Sequence, residues 1–409
     1  MLAVLFAAMA VSTATGQNPA SWERQFGTAG DDQARAVAVD ATGIYVAGDT
    51  TGALVGSNAG GDDAFVRKYD ATGRVLWTSQ FGTASDDVAY AIAVYDTEVY
   101  VVGWTYGALD RSHAVNANGD AFVRKYDANG RVLWTKQFGT TAEDYANAIA
   151  VDATGVYVVG NTLGALGGSN AGGWDAFVRK YDANGNVLWT NQFGTYTDDF
   201  ANAIVLDASG IYVAGFTLGT LAGNSAGAWD AFVQKYDANG NVVWTKQFGS
   251  AGYDFTNAIA ADATGIYVVG YTTGSLAGNN AGGWDAFVWK CDSNGNVLWA
   301  NQFGTAYDDF VWAITTDAAG IYVAGWTGGT LSGSTAGGND AFVRRYDTNG
   351  DVVETTQFGS TGDDQVTGIA IFRRPDSPDV RALAGYTSGN LFGENAGGKD
   401  AFVGFYSSP

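Results

Sequence analysis

Cysteine occurs once in this 409-residue chain, histidine once and proline four times. The single thiol, Cys291, excludes an internal disulfide. The single imidazole, His113, leaves little with which to build a zinc centre or a histidine-driven acid–base site. With 58 glycines beside so few prolines, the turns are made by glycine at positive φ. Basic residues are scarce too: 21 Lys and Arg stand against 42 Asp and Glu, a net charge of −21. That field excludes a nucleic acid partner and disfavours acidic polysaccharide or an anionic membrane surface. Long apolar runs are missing apart from residues 1–16, "MLAVLFAAMAVSTATG". This run is short for a membrane span and ends in small residues, so it reads as a secretory signal cut before Gln17, although no basic residue precedes it. The expectation is a mature chain, residues 17–409, that is secreted, periplasmic or on the cell surface and does not insert into a membrane.

What is present is a repeat. The triplet Gln-Phe-Gly begins at Gln25, Gln80, Gln137, Gln192, Gln247, Gln302 and Gln357, and "DAFV" begins at Asp63, Asp120, Asp175, Asp230, Asp285, Asp340 and Asp400. Both markers occur seven times with no linker between copies, which predicts one domain. Each unit holds four short segments rich in Val, Ile, Tyr, Phe and Trp, such as 148–152, 156–162, 176–182 and 186–194 in one copy. "DATG" separates the first two and "DANG" the last two, both tight hairpin turns. The first two segments are almost continuously apolar, which implies burial on both faces. Four-stranded sheets covered on both faces by copies of themselves make an all-β, seven-bladed propeller.

The two ends of the chain complete each other. "SWERQFG" at 21–27 is a fourth strand without the first three, and "DAFVGFY" at 400–406 is a third strand without a fourth. The N-terminal strand is expected to pair into the last blade and close the ring. The pattern "QFGTxxDDxAxAIAVDATGIYVAG…DAFVRKYDANGNVLW" resembles the SBBP repeat of seven-bladed β-propellers in bacterial, mostly exported proteins. That resemblance implies the fold and an extracellular setting and brings no catalytic residues with it.

Two features recur on the face that carries the longer connections, the expected binding face. One is an acidic pair: Asp31–Asp32, Asp86–Asp87, Glu143–Asp144, Asp198–Asp199, Asp308–Asp309 and Asp363–Asp364, with Asp254 alone in the remaining copy. Such pairs suit Asx-turn hydrogen bonding, or calcium, a hard cation that takes six to eight oxygens. The other is aromatic: Trp174, Trp229 and Trp284 directly before "DAFV", and Trp104, Phe216, Tyr271, Trp326 and Tyr386 directly after the glycine that ends the second strand. These rings read either as a sugar-stacking shelf or as filling between blades. The series Trp22, Trp77, Trp134, Trp189, Trp244 and Trp299 reads as structural, with Glu354 in the seventh place. Cys291, where other copies have tyrosine, reads as a buried packing substitute.

Near-identical copies supply one constellation seven times, whereas an active site needs different groups in different roles. The expectation is therefore a non-catalytic, monomeric binding or scaffolding module. Its expected ligand is glycan engaged multivalently, with calcium the one cofactor considered and polysaccharide or a cell-surface protein as partner. The alternative is a purely structural or protein–protein interaction module.

Overall fold

The computed structural model describes residues 21–110, 118–372 and 379–407. The expected signal segment 1–16 and His113 lie outside the described residues. The described strands pair into seven antiparallel sheets of four strands each. In blade 1 these are Asp32–Asp40, Gly43–Thr50, Asp63–Tyr69 and Val75–Phe81, in order from the axis outward. The first strand of every blade packs on the first strands of both neighbours, so these seven line the axis. The second strand of blade 1 is buried along its whole length, as the apolar run Ile44–Ala47 at its centre requires. The fourth is half-exposed and begins with the exposed pair Val75 and Leu76.

Blade 7 consists of Asp364–Phe372, Val380–Thr387, Asp400–Ser407 and, as its outer strand, Trp22–Phe26. The register runs from Trp22 opposite Phe405 to Phe26 opposite Ala401. The closure read from the two chain ends is therefore present, and the fold is the seven-bladed propeller expected.

The core lies between blades, not within them. Ala382, Ala384, Val403 and Phe405 of blade 7 pack on Ile44, Val46 and Phe65 of blade 1, and equivalent layers follow around the ring. Each fully buried Val, Ile or Phe contributes about 1.5–3 kcal/mol. The structural tryptophans belong to these layers. Trp22 covers Gly73, whose φ of +80° makes the turn, and its indole N–H donates to Ala71 O at 3.0 Å. Trp77 does the same to Ala128 O at 3.1 Å, and Trp299 to Thr348 O at 3.2 Å. Cys291 is fully buried, and burial pushes its thiol up to about 12.

One difference from the sequence reading matters. The inner strands begin earlier than expected, at Asp144 rather than Ala148 in blade 3, and at the equivalent Asp in the others. The second Asp of each acidic pair is thus a strand residue, directly opposite a threonine such as Thr162.

Candidate functional site

Three sets of side chains shape the long-connection face. The first is carboxylate. Asp32 is fully buried and accepts from Thr28 N at 2.6 Å, Thr28 Oγ1 at 2.9 Å and Thr50 Oγ1 at 2.5 Å. Asp87, Asp199 and Asp309 are held in the same way by Thr83, Thr195 and Thr305. Burial pushes each of these carboxyls above the ordinary range, while the threonine donors pull against it. The first Asp of the pair reaches the long loop of the preceding blade. Asp31 accepts from Lys399 N, Asp86 from Asp62 N, Asp198 from Trp174 N and Asp308 from Trp284 N, at 2.9–3.1 Å. One oxygen of each buried Asp is thus turned onto protein donors, while Oδ1 of Asp87, Asp199 and Asp309 is buried with no hydrogen-bond partner among the described residues. Among the described residues no three His, Cys, Asp or Glu side chains gather as a cation site.

The second set is the repeated glutamine. Gln192 Nε2 donates to Gly164 O and to Asp175 Oδ2, both at 2.8 Å, while its Oε1 accepts from Leu166 N at 2.7 Å and Gly167 N at 3.1 Å. It therefore pins the loop between strands two and three of its own blade. Gln25 makes the equivalent four bonds to the loop of blade 7.

The aromatic residues form the third set, and they are half-buried between blades. Trp174 stacks on Tyr145 at 5.3 Å between centroids and meets Phe200 at 5.9 Å. Trp229 lies among Phe200, Phe216 and Phe255, and Trp284 among Phe255, Tyr271 and Phe310. Trp326 stacks on Phe310 at 4.5 Å, and Trp104 packs on Tyr106 and Tyr145. These rings make one arc from blade 2 to blade 6, filling seams while keeping an exposed edge.

Sequence reading missed the centre of this face. In each inner strand the register slips by one residue, as between Ala34 and Ala36, leaving a β-bulge. The extra residues are Arg35, Tyr90, Asn147, Asn202, Asn257, Trp312 and Thr367, and all seven line one axial chamber of about 590 Å³. A bulge re-aims its side chain, here toward the axis. The three asparagines also tie blades together: Asn147 Nδ2 donates to Ala201 O at 3.0 Å, Asn202 Nδ2 to Thr256 O at 3.1 Å and Asn257 Nδ2 to Val311 O at 2.8 Å. Arg35 pairs with the buried Asp49 and lies over the Tyr90 ring. The indole N–H of Trp312 has no acceptor among the described residues. Of the aromatic candidates read from the sequence, Trp174 and Tyr386 reach the chamber wall; Trp229, Trp284, Trp104, Trp326 and Tyr271 do not. The signal that marks the chamber is a position that changes from copy to copy, Arg, Tyr, Asn, Asn, Asn, Trp, Thr, inside a repeat that otherwise holds its pattern.

Residues 243–277 match the SBBP β-propeller repeat family. The chain is 29% identical over 401 residues to the regulatory protein FlaEY of Caulobacter vibrioides, covering 88% of this chain and 37% of that protein. It thus spans little more than a third of that relative's length. Among solved structures it is similar to the neuraminidase-like protein of A/bat/Guatemala/164/2009, with 12% identity, TM-score 0.47 and 96% of each chain covered. It is also similar to the subtype N11 neuraminidase-like protein of A/flat-faced bat/Peru/033/2010, with 10% identity, TM-score 0.46, and 97% of this chain and 93% of that one covered. Likeness at that level says nothing about activity. The repeating unit, read from the sequence and now seen as seven closed blades, is similar to the SBBP β-propeller repeat over residues 243–277.

Proposed function

We propose that this ring is a non-catalytic binding and scaffolding module that acts outside the cell, with glycan taken up on the long-connection face. The observation that supports this reading is the axial chamber. Its wall combines amides, aromatic rings and the guanidinium of Arg35, the mixture that matches the hydroxyls and apolar faces of a sugar. The net charge of −21 favours a neutral saccharide over an acidic one. The aromatic arc reaches the chamber wall at Tyr145, Trp174 and Phe200, and its other rings offer a polymer further contact with avidity.

A glycan array of neutral oligosaccharides, probed with the full chain, tests it. Binding is expected, together with a loss of at least about tenfold in Trp174→Ala and Asn202→Ala, each retaining cooperative melting. A blank array removes the glycan reading. A protein–protein role then takes its place, for which the exposed outer-strand pairs Val187–Leu188 and Val297–Leu298 supply apolar contact.

A further inference from the structure

Six of the seven seams between blades are filled in one way, and the seventh is not. At each of the six, a tryptophan of one outer strand covers the turn glycine of the next blade: Trp22 on Gly73, Trp77 on Gly130, and so on to Trp299 on Gly350. Deeper in the seam, a large side chain from the third strand lies over the phenylalanine of the preceding Gln-Phe-Gly. Arg67 covers Phe26, Arg124 covers Phe81, Arg344 covers Phe303, and Trp289 stacks on Phe248.

Between blades 6 and 7 every part of this filling is changed. Blade 7 is closed by the two chain ends, so no turn joins its third and fourth strands for a tryptophan to cover. Glu354 stands in the tryptophan position and Gly404 in the arginine position. Arg381 replaces the aliphatic residue that is Ile44 in blade 1 and Ile321 in blade 6. The result is a cleft of about 490 Å³. Its floor is apolar, with Val343, Phe358, Ile369, Leu383, Leu391 and Phe392, and its charged residues are Glu23, Arg345, Glu354 and Arg381.

These charges are unequally matched. Glu354 stands directly opposite Arg345 across the strand pair. Glu23 faces the Tyr406 hydroxyl, whose phenol is pushed up by burial and by that carboxylate. Arg381 lies over the Tyr322 ring at 4.8 Å, and its Nε is buried with no acceptor among the described residues. A buried guanidinium N–H without an acceptor is costly, and a carboxylate satisfies it with a charge-assisted bond.

We propose that this cleft is a binding site, separate from the axial chamber, for a small carboxylic acid with an alkyl or aryl body. The carboxylate meets Arg381 and the body lies on Phe358, Leu383 and Phe392. The space suits a ligand of this size. The site is independent of the glycan reading, since none of its residues lines the chamber.

Calorimetric titration of the full chain with octanoate and with 4-phenylbutyrate tests it, with octylamine as the charge control. The expected result is one carboxylate per chain and no heat from the amine. Arg381→Ile writes in the residue that blades 1 and 6 carry, and should weaken binding about 10- to 100-fold. Gly404→Arg writes in the residue of most other blades and should abolish binding. Its new Cβ meets the Tyr406 ring at 2.8 Å, the movable end of a side chain with open space beside it. Both variants move the seam toward the pattern of its neighbours, so retained melting is expected and serves as the folding control. Absence of binding by both acids, equal binding by octylamine, or unchanged binding in Gly404→Arg overturns the proposal.

Discussion

The glutamine of each Gln-Phe-Gly holds a twelve-residue loop with one side chain. In Gln192→Leu the apolar stem stays, but Leu166 N, Gly167 N and Gly164 O lose their partner, and so does the buried Asp175. The expected cost is about 2–4 kcal/mol in urea unfolding, because buried polar groups are left unpaired. A loss under about 0.5 kcal/mol would mean that water replaces the amide. The triplet was easy to find in the sequence, yet this role was not legible in it. The partners lie 17–28 residues back, and only the closed blade brings them together. The glycine of the triplet is explained the same way. A Cβ at Gly82 would sit 2.1 Å from Asp63 Oδ1 and 3.1 Å from Asp87 Oδ2, so two buried carboxylates of adjacent blades exclude any side chain. Trp77 and its equivalents were legible as structural because they fall mid-strand, after two apolar residues, a setting that needs no long-range information.

At the scale of the strand, the inner strands were only half legible. Their apolar second halves read as β, whereas "DDFAN" before them reads as loop, since acidic and amide residues are poor strand formers. Hydrogen bonds from Thr195 to Asp199 and from Asn202 to the next blade compensate there, and the bulge hides the alternation that would have betrayed a strand. The chamber was missed for the same reason, although the copy-to-copy change at the bulge position was visible. The bulge also sets the bend of the strand. Deleting Asn202 outright removes the extra residue and leaves 199–201 opposite 215–217 in a regular ladder, without the bend. Asn202→Ala removes the bond to Thr256 O and should cost about 1 kcal/mol. The deletion loses the same bond and also straightens the inner strand against both neighbouring blades, so it should cost more. Equal midpoints in urea for the two variants would show that the bend carries none of the stability.

The whole ring depends on a strand contributed by the far end of the chain. Trp22–Phe26 supplies the outer edge of blade 7, covers Gly73 of blade 1 and places Gln25 on the blade 7 loop. Removing residues 17–28 should therefore broaden the unfolding transition of the entire molecule, and an unchanged calorimetric peak would refute the clasp. Acid acts on the whole ring too, with a sign that can be worked out. Seven buried aspartates, Asp32, Asp87, Asp144, Asp199, Asp254, Asp309 and Asp364, are pushed upward by burial and, less strongly, by a neighbouring carboxylate. A raised folded value means the native state takes up protons first. These groups therefore add stability as pH falls from neutral, complete once the unfolded value of about 3.9 is passed. Relief of the net charge of −21 works in the same direction. The turn aspartates Asp182, Asp237 and Asp292 are held low by hydrogen bonds from Asn186, Asn241 and Asn296. Their contribution is present above the ordinary carboxylate range and is lost as pH falls through their lowered values. The melting temperature should consequently rise from pH 7 to a maximum at about pH 4 to 5 and fall below it. A melting temperature that declines steadily from neutrality would mean that the buried aspartates are stabilised as anions by their threonine donors, with burial the weaker influence.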